Sequence, residues 1–131
     1  RLVSPPEASA RPVAEKLLRH LSNGDLEAAA ALSTAPERRF EELSRYRGLV
    51  GDAEFKRVFG RYFAPQNRLV AEVADGPHRL LVWDLGEAGH HLAGQYYLEI
   101  AGTFLMDEKP SEARARLQRI LQAYRDGKIK F

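Results

Sequence analysis

The sequence predicts an α+β fold: N-terminal helices packed on a curved four-stranded antiparallel sheet, with one more helix at the C-terminal end. Three observations carry this. Val13, Leu17, Leu18 and Leu21 recur at helical spacing early in the chain. From Arg68 onward the pattern changes to short strand-like segments divided by glycine-containing turns. Ala113, Leu117, Ile120, Leu121 and Tyr124 then form a last helical stripe. Helices gathered ahead of strands, rather than alternating with them, argue α+β.

The first helix is expected from about Pro12 to Leu21, with a start near Ser9, since proline is tolerated in a first turn. Gly24 suits a helix C-terminus. Asp25 offers an N-cap for a second, alanine-rich helix, "LEAAAALS". Thr34-Ala35-Pro36-Glu37 fits a capping box opening a third helix that carries Phe40 and Leu43. Gly48 and Gly51 interrupt it, and Asp52 caps a fourth helix with Phe55, Val58, Phe59 and Tyr62 on one face.

Ala64 to Asn67 breaks the helical pattern. Strands are expected over Arg68–Ala74, His78–Leu85, His90–Ile100 and Thr103–Glu108, joined at Asp75-Gly76, Gly86–Gly89 and Ala101-Gly102. Pro110 opens the last helix and Gly127 ends it. Lys128 to Phe131 comes last, as an edge strand or a tail. The whole chain, 1–131, reads as a single domain, with 1–10 an extended lead-in.

Composition narrows the function classes. There is no cysteine, which excludes disulfides, thiol nucleophiles and thiolate zinc sites. It suits an exported protein and equally allows the cytoplasm. The lead-in "RLVSPPEASA" resembles the start of a mature chain after removal of a signal, or the stretch next to a lipid anchor. An exported chain is therefore expected, periplasmic or lipid-anchored in a bacterium. A net charge of only +2 gives no electrostatic footprint for nucleic acid. No apolar run reaches the roughly 18 residues of a membrane span. No P-loop, no GxGxxG after a strand and no G-x-S-x-G is present. No cofactor is expected.

Strand residues alternate faces. Pairing across Gly86–Gly89 sets Asp84 opposite His91, and pairing across Ala101-Gly102 sets Tyr97 opposite Met106. One face then carries Leu69, Ala71, Val73, Leu80, Val82, Ala93, Tyr97, Phe104 and Met106, with His78, Asp84, His91, Gln95 and Glu99 as polar members. The other carries Val70, Leu81, Trp83, Leu92, Tyr96, Leu98, Ile100 and Leu105, with Glu72 facing Arg79. Both faces are apolar, so each needs a cover: helices, a ligand or a second subunit.

"AEKLLRHLSNGDLEAAAALS", Ala14 to Ser33, resembles the opening of NTF2-like (SnoaL-like, cystatin-like) domains. The resemblance implies a long helix in the concave side of a bent sheet, a ligand cone between them, and dimers through the outer sheet face. The chain departs from that pattern in having two helices, not one, between the alanine-rich segment and the first strong strand, and a helix after the last hairpin. No catalytic residue of that family transfers by motif.

An Asp84–His91 pair would form an acid/base dyad, the acid orienting the imidazole, or else a plain cross-strand polar pair. Tyr97, Gln95, Glu99, His91, Met106 and Tyr62 are the expected ligand-binding residues. His90 and His91 point to opposite faces of a strand and cannot share a metal, so no metal is expected. The leading functional expectation is a non-catalytic binding or interaction domain. It would hold a small apolar ligand or a partner protein in a helix–sheet cavity or on the outer sheet face, with a homodimer possible through a Trp83/Tyr96 face. The alternative is a small acid/base enzyme acting on a hydrophobic substrate.

Overall fold

The computed structural model describes residues 1–61, 67–86 and 92–131. Four helices come first: α1 (Arg11–Ser22), α2 (Leu26–Ala30), α3 (Pro36–Val50) and α4 (Asp52–Gly60). Four strands follow, β1 (Arg68–Asp75), β2 (His78–Asp84), β3 (Leu92–Ile100) and β4 (Thr103–Met106), and then α5 (Glu112–Arg125). The fold is α+β, as the grouping of helices and strands predicts.

Local chemistry explains most boundaries. α1 buries Leu17, Leu18 and Leu21 of the expected stripe together with Ala14, while Val13 is only partly buried. Gly24 takes a positive φ of 75° just beyond its end, a conformation that costs a glycine little. Asp25 caps α2 by accepting the Ala28 N–H at 3.2 Å. Ser111 does the same for α5 with the Arg114 N–H at 3.1 Å, one residue after Pro110.

Two expected caps are not formed. Thr34 does not cap α3; its Oγ1 accepts the Glu108 N–H at 2.9 Å, tying the helix entry to the end of the sheet. Asp52 is the first helical residue of α4, behind Gly51 at φ 88°, and pairs with Lys56 at 3.3 Å. Lys128 to Phe131 forms no strand, and the Phe131 ring lies 4.6 Å from that of Tyr124.

The sheet is open and antiparallel throughout, in the order β1-β2-β3-β4. Both edges meet neighbouring chain. Leu2 bridges Val73, and the Ala74 N–H donates to the Arg1 carbonyl at 2.7 Å. The beginning of the lead-in is therefore part of the sheet edge. At the far side Ser33 bridges Met106, whose N–H donates to the Leu32 carbonyl at 2.7 Å.

The sheet separates two cores. On one side α1, α2 and parts of α3 and α4 pack with Leu81, Trp83, Leu85, Tyr97 and Phe104. On the other, Leu117 and Leu121 of α5 cover Val73, Leu80 and Val82. Those two leucines, each almost wholly buried, contribute about 2 kcal/mol apiece to holding α5 down. The cover that the second apolar face demands is thus the chain's own last helix over β1, β2 and part of β3. A bulge between Leu69 and Ala71 lets β1 serve both cores, Leu69 joining the first and Ala71 the second. Leu69 therefore does not share a face with Ala71 and Val73, contrary to simple alternation.

Among the described residues no helix is long and apolar enough to cross a membrane.

Candidate functional site

The expected site sits where β2 meets β3, and the observed register decides which of its members come together. Asp84 pairs with Leu92, not with His91. The correction is one residue, yet a slip of one exchanges every side chain of β3 between faces relative to β2. His91 and Tyr62 lie outside the described residues. Asp84 has local partners. Its Oδ1 accepts the Gly86 N–H at 2.9 Å, and its Oδ2 lies 3.6 Å from Arg68.

The same slip overturns the expected Trp83/Tyr96 face. Trp83 belongs to the helix-side core, opposite Ala93 in register. Its indole N–H donates to Gln95 Oε1 at 2.8 Å, and the Arg11 guanidinium lies 5.7 Å from its ring centre. Tyr96 points the other way, against the α5 core, with the Arg114 guanidinium 5.3 Å from its ring. The two rings lie on opposite sides of the sheet and cannot form one dimer surface.

Tyr97, Gln95 and Met106 do share the helix side, and Tyr97 pairs with Met106 as expected. Glu99 has the same strand parity, opposite Phe104. Met106 packs partly buried against the core. Tyr97 is fully buried, and its hydroxyl has no hydrogen-bond partner among the described residues. Burial pushes its ionisation far above the ordinary tyrosine range, opposed more weakly by the nearby Arg39 charge. At neutral pH that hydroxyl is a proton donor without an acceptor, not a base.

An acid–imidazole pair does form, between residues the sequence left apart. His78 Nδ1 lies 3.4 Å from Asp107 Oδ2, on the α5 side of the sheet. Asp107 is fixed by its own N–H to the Tyr96 carbonyl at 2.8 Å, and its Oδ1 accepts the Lys109 N–H at 3.1 Å. The Asp107 side chain is 2% exposed and that of His78 17%. The contact lacks hydrogen-bond geometry, so the imidazole is apposed rather than bonded. The register slip concealed it: one step over, His78 falls on the face of Met106 instead of that of Leu105.

A surface groove lies elsewhere, between α2 and α3. It is open to solvent, with a volume of about 670 Å³. Ala30, Ala31, Pro36 and Phe40 supply its apolar wall, and Glu27, Glu37 and Glu41 its acidic rim. The small alanines of α2 open the space. α3 is seated by buried Leu43, which leaves Phe40 42% exposed. The sequence placed Phe40 and Leu43 together on one helix, and only Leu43 reaches the core. The three rim carboxylates form no hydrogen bond or ion pair among the described residues. Their neighbours Glu42 and Glu108 engage Arg38 and Arg39.

No group of three or more His, Cys, Asp or Glu among the described residues is placed to hold a metal ion. Compared with protein-family models, curated proteins and solved structures, the chain matches none. The groove and the buried pairs are thus interpreted from their own geometry.

Proposed function

We propose that the protein is a non-catalytic interaction domain that binds a partner protein through the α2–α3 groove. One observation carries this: an aromatic side chain, Phe40, stands 42% exposed in a concave apolar strip. Exposed aromatics in concave sites are the usual anchors of protein interfaces. By contrast Trp83, Gln95 and Tyr97 are buried in the helix-side core. This moves the binding surface from the helix–sheet interior and the outer sheet face to the outside of the helices. A kinship with NTF2-like domains is part of the same proposal. It rests on the α1, Gly-Asp, α2 opening and on helices packed against one face of an antiparallel sheet.

The test is a photo-crosslinking residue at Ala31 in the source cells, with Arg119 on α5 as the comparison position. The expected result is one protein adduct at position 31 that disappears with Phe40→Asp. Equal adducts at both positions, or adducts indifferent to Phe40→Asp, would overturn the reading.

A second reading, a small acid/base enzyme, has the His78–Asp107 pair in its favour, since a buried carboxylate can orient an imidazole. It requires a reachable imidazole. Under this reading diethyl pyrocarbonate modifies His78 at least as fast as His20, and protection of His78 removes it.

A further inference from the structure

We infer that the occupant of the α2–α3 groove is a cationic amphipathic helix of the partner. The inference rests on the reading of that groove as a docking surface and adds the chemistry of what docks there.

The rim decides the sign of the partner's charge. Glu27 comes from α2, and Glu37 and Glu41 from α3, so carboxylates flank the apolar strip from both helices. None of the three has a cationic partner among the described residues. Beside the groove Glu42 and Glu108 are matched with Arg38 and Arg39, and on α4 Asp52 is matched with Lys56 and Glu54 with Arg57. Glu37 has a local reason to be acidic, since it lies in the first turn of α3. Glu41 is a like charge one turn from Glu37, which weakens the helix, and although Arg45 lies one turn further on, no ion pair joins it to Glu41 among the described residues. An acidic rim unmatched within the fold is complementary to Lys or Arg on a partner.

The spacing decides the partner's shape. Glu37 and Glu41 are four residues apart on one helix, about 6 Å between Cβ atoms. Basic residues four apart on a second helix repeat that distance. The same partner helix presents an apolar residue at the intervening position, where Phe40, Pro36 and Ala31 meet it.

The experiment titrates the full isotope-labelled chain with synthetic helices of about 18 residues, long enough to hold helix in water. One has a Leu/Lys amphipathic pattern, one has Glu in place of Lys, and one keeps Lys with Ser in place of Leu. The Leu/Lys peptide is expected to move amide signals of α2 and α3 saturably, and to weaken about tenfold when salt rises from about 50 to about 300 mM. Glu37→Lys with Glu41→Lys is expected to weaken it tenfold or more, and Phe40→Ser to do likewise. These positions are exposed. Should the variants nonetheless fail to fold, the shift map and the salt response of the unaltered chain still decide. Equal binding by the Glu or Ser peptide, shifts scattered outside α2 and α3, or no saturable shift would overturn the inference. A partner captured at Ala31 that lacks a basic helical segment overturns this inference alone. Failure to capture any specific partner there overturns the docking reading beneath it.

Discussion

Glu72 and Arg79 meet at 3.0 Å across the first hairpin, with side chains only 5% and 6% exposed. Glu72 also accepts the Ala10 N–H at 2.9 Å, and Arg79 donates to the Ala8 carbonyl at 2.8 Å. One buried ion pair therefore fixes the entry to α1 against the β1–β2 hairpin.

Removing Glu72 leaves the buried Arg79 guanidinium with only the partly exposed Glu7, 3.5 Å away, as a counter-charge. Glu72→Ala is expected to cost about 3–5 kcal/mol in urea unfolding. The double replacement Glu72→Leu with Arg79→Met is expected to cost less than Glu72→Ala alone, because no charge is stranded. A double variant that is the weaker of the two would contradict this account.

Gln95 is the acceptor for the indole N–H of Trp83, at 2.8 Å in a buried site. Gln95→Leu keeps the volume roughly but strands that donor. The expected loss is about 1–3 kcal/mol. Trp83 is the chain's one tryptophan, so its emission reports the site directly during unfolding. An unchanged urea midpoint would show that the bond adds nothing to stability.

Gly94 faces α5. A Cβ placed there would lie 2.5 Å from Leu121 Cδ2 and 3.3 Å from Leu80 Cδ1, both in the buried second core. Alanine would gain about 0.5–1 kcal/mol from a stiffer unfolded chain. Overpacking costs about 1–3 kcal/mol and wins. Gly94→Ala is therefore expected to destabilise, and to be nearly neutral in a Leu121→Ala background, where the clashing methyls are gone. Equal effects in both backgrounds would show that α5 does not press on Gly94.

Tyr97 combines full burial with a hydroxyl that has no partner among the described residues. Tyr97→Phe deletes that stranded group and is expected to raise stability at neutral pH by about 1 kcal/mol. Its alkaline behaviour follows from the raised ionisation. Above pH 10 the unfolded chain releases the Tyr97 proton while the folded chain keeps it, so stability falls as pH rises. Urea midpoints compared between about pH 9 and 11 should fall more steeply in the parent than in Tyr97→Phe. Half-buried Tyr96, also shifted upward by burial, leaves some slope in the variant. Parallel slopes would contradict the burial of Tyr97.

The fold was legible where short-range chemistry sets geometry. The helical stripe Leu17 to Leu21, the Asp25 cap, the first hairpin (which turns at Gly76-Pro77, one residue beyond the expected Asp75-Gly76) and the Ala101-Gly102 turn fix their elements locally. The Tyr97–Met106 register follows from the second of those turns. The β2–β3 register did not follow, because no two-residue turn joins Asp84 to Leu92 and nothing local counts the residues between them. One slipped step was enough to send Trp83 and Tyr96 to the same face on paper, and to hide His78 from Asp107. The β1 bulge was invisible for a related reason: alternation cannot announce the extra residue that interrupts it. The groove needed tertiary knowledge. Phe40 and Leu43 are both apolar on one helix, but α3 packs mainly on α2 and α4, and only the seating of those helices decides which side chain stays outside.

The occupied sheet borders have a further consequence. Leu2 against Val73 and Ser33 against Met106 place the chain's own backbone where an incoming strand would bond. Recruitment by strand addition, and the edge-to-edge stacking that seeds fibrils, are obstructed at those positions. Deleting Arg1 to Val3 would uncover the β1 border at Val73 and Ala74, leaving backbone there with which a second copy could lengthen the sheet.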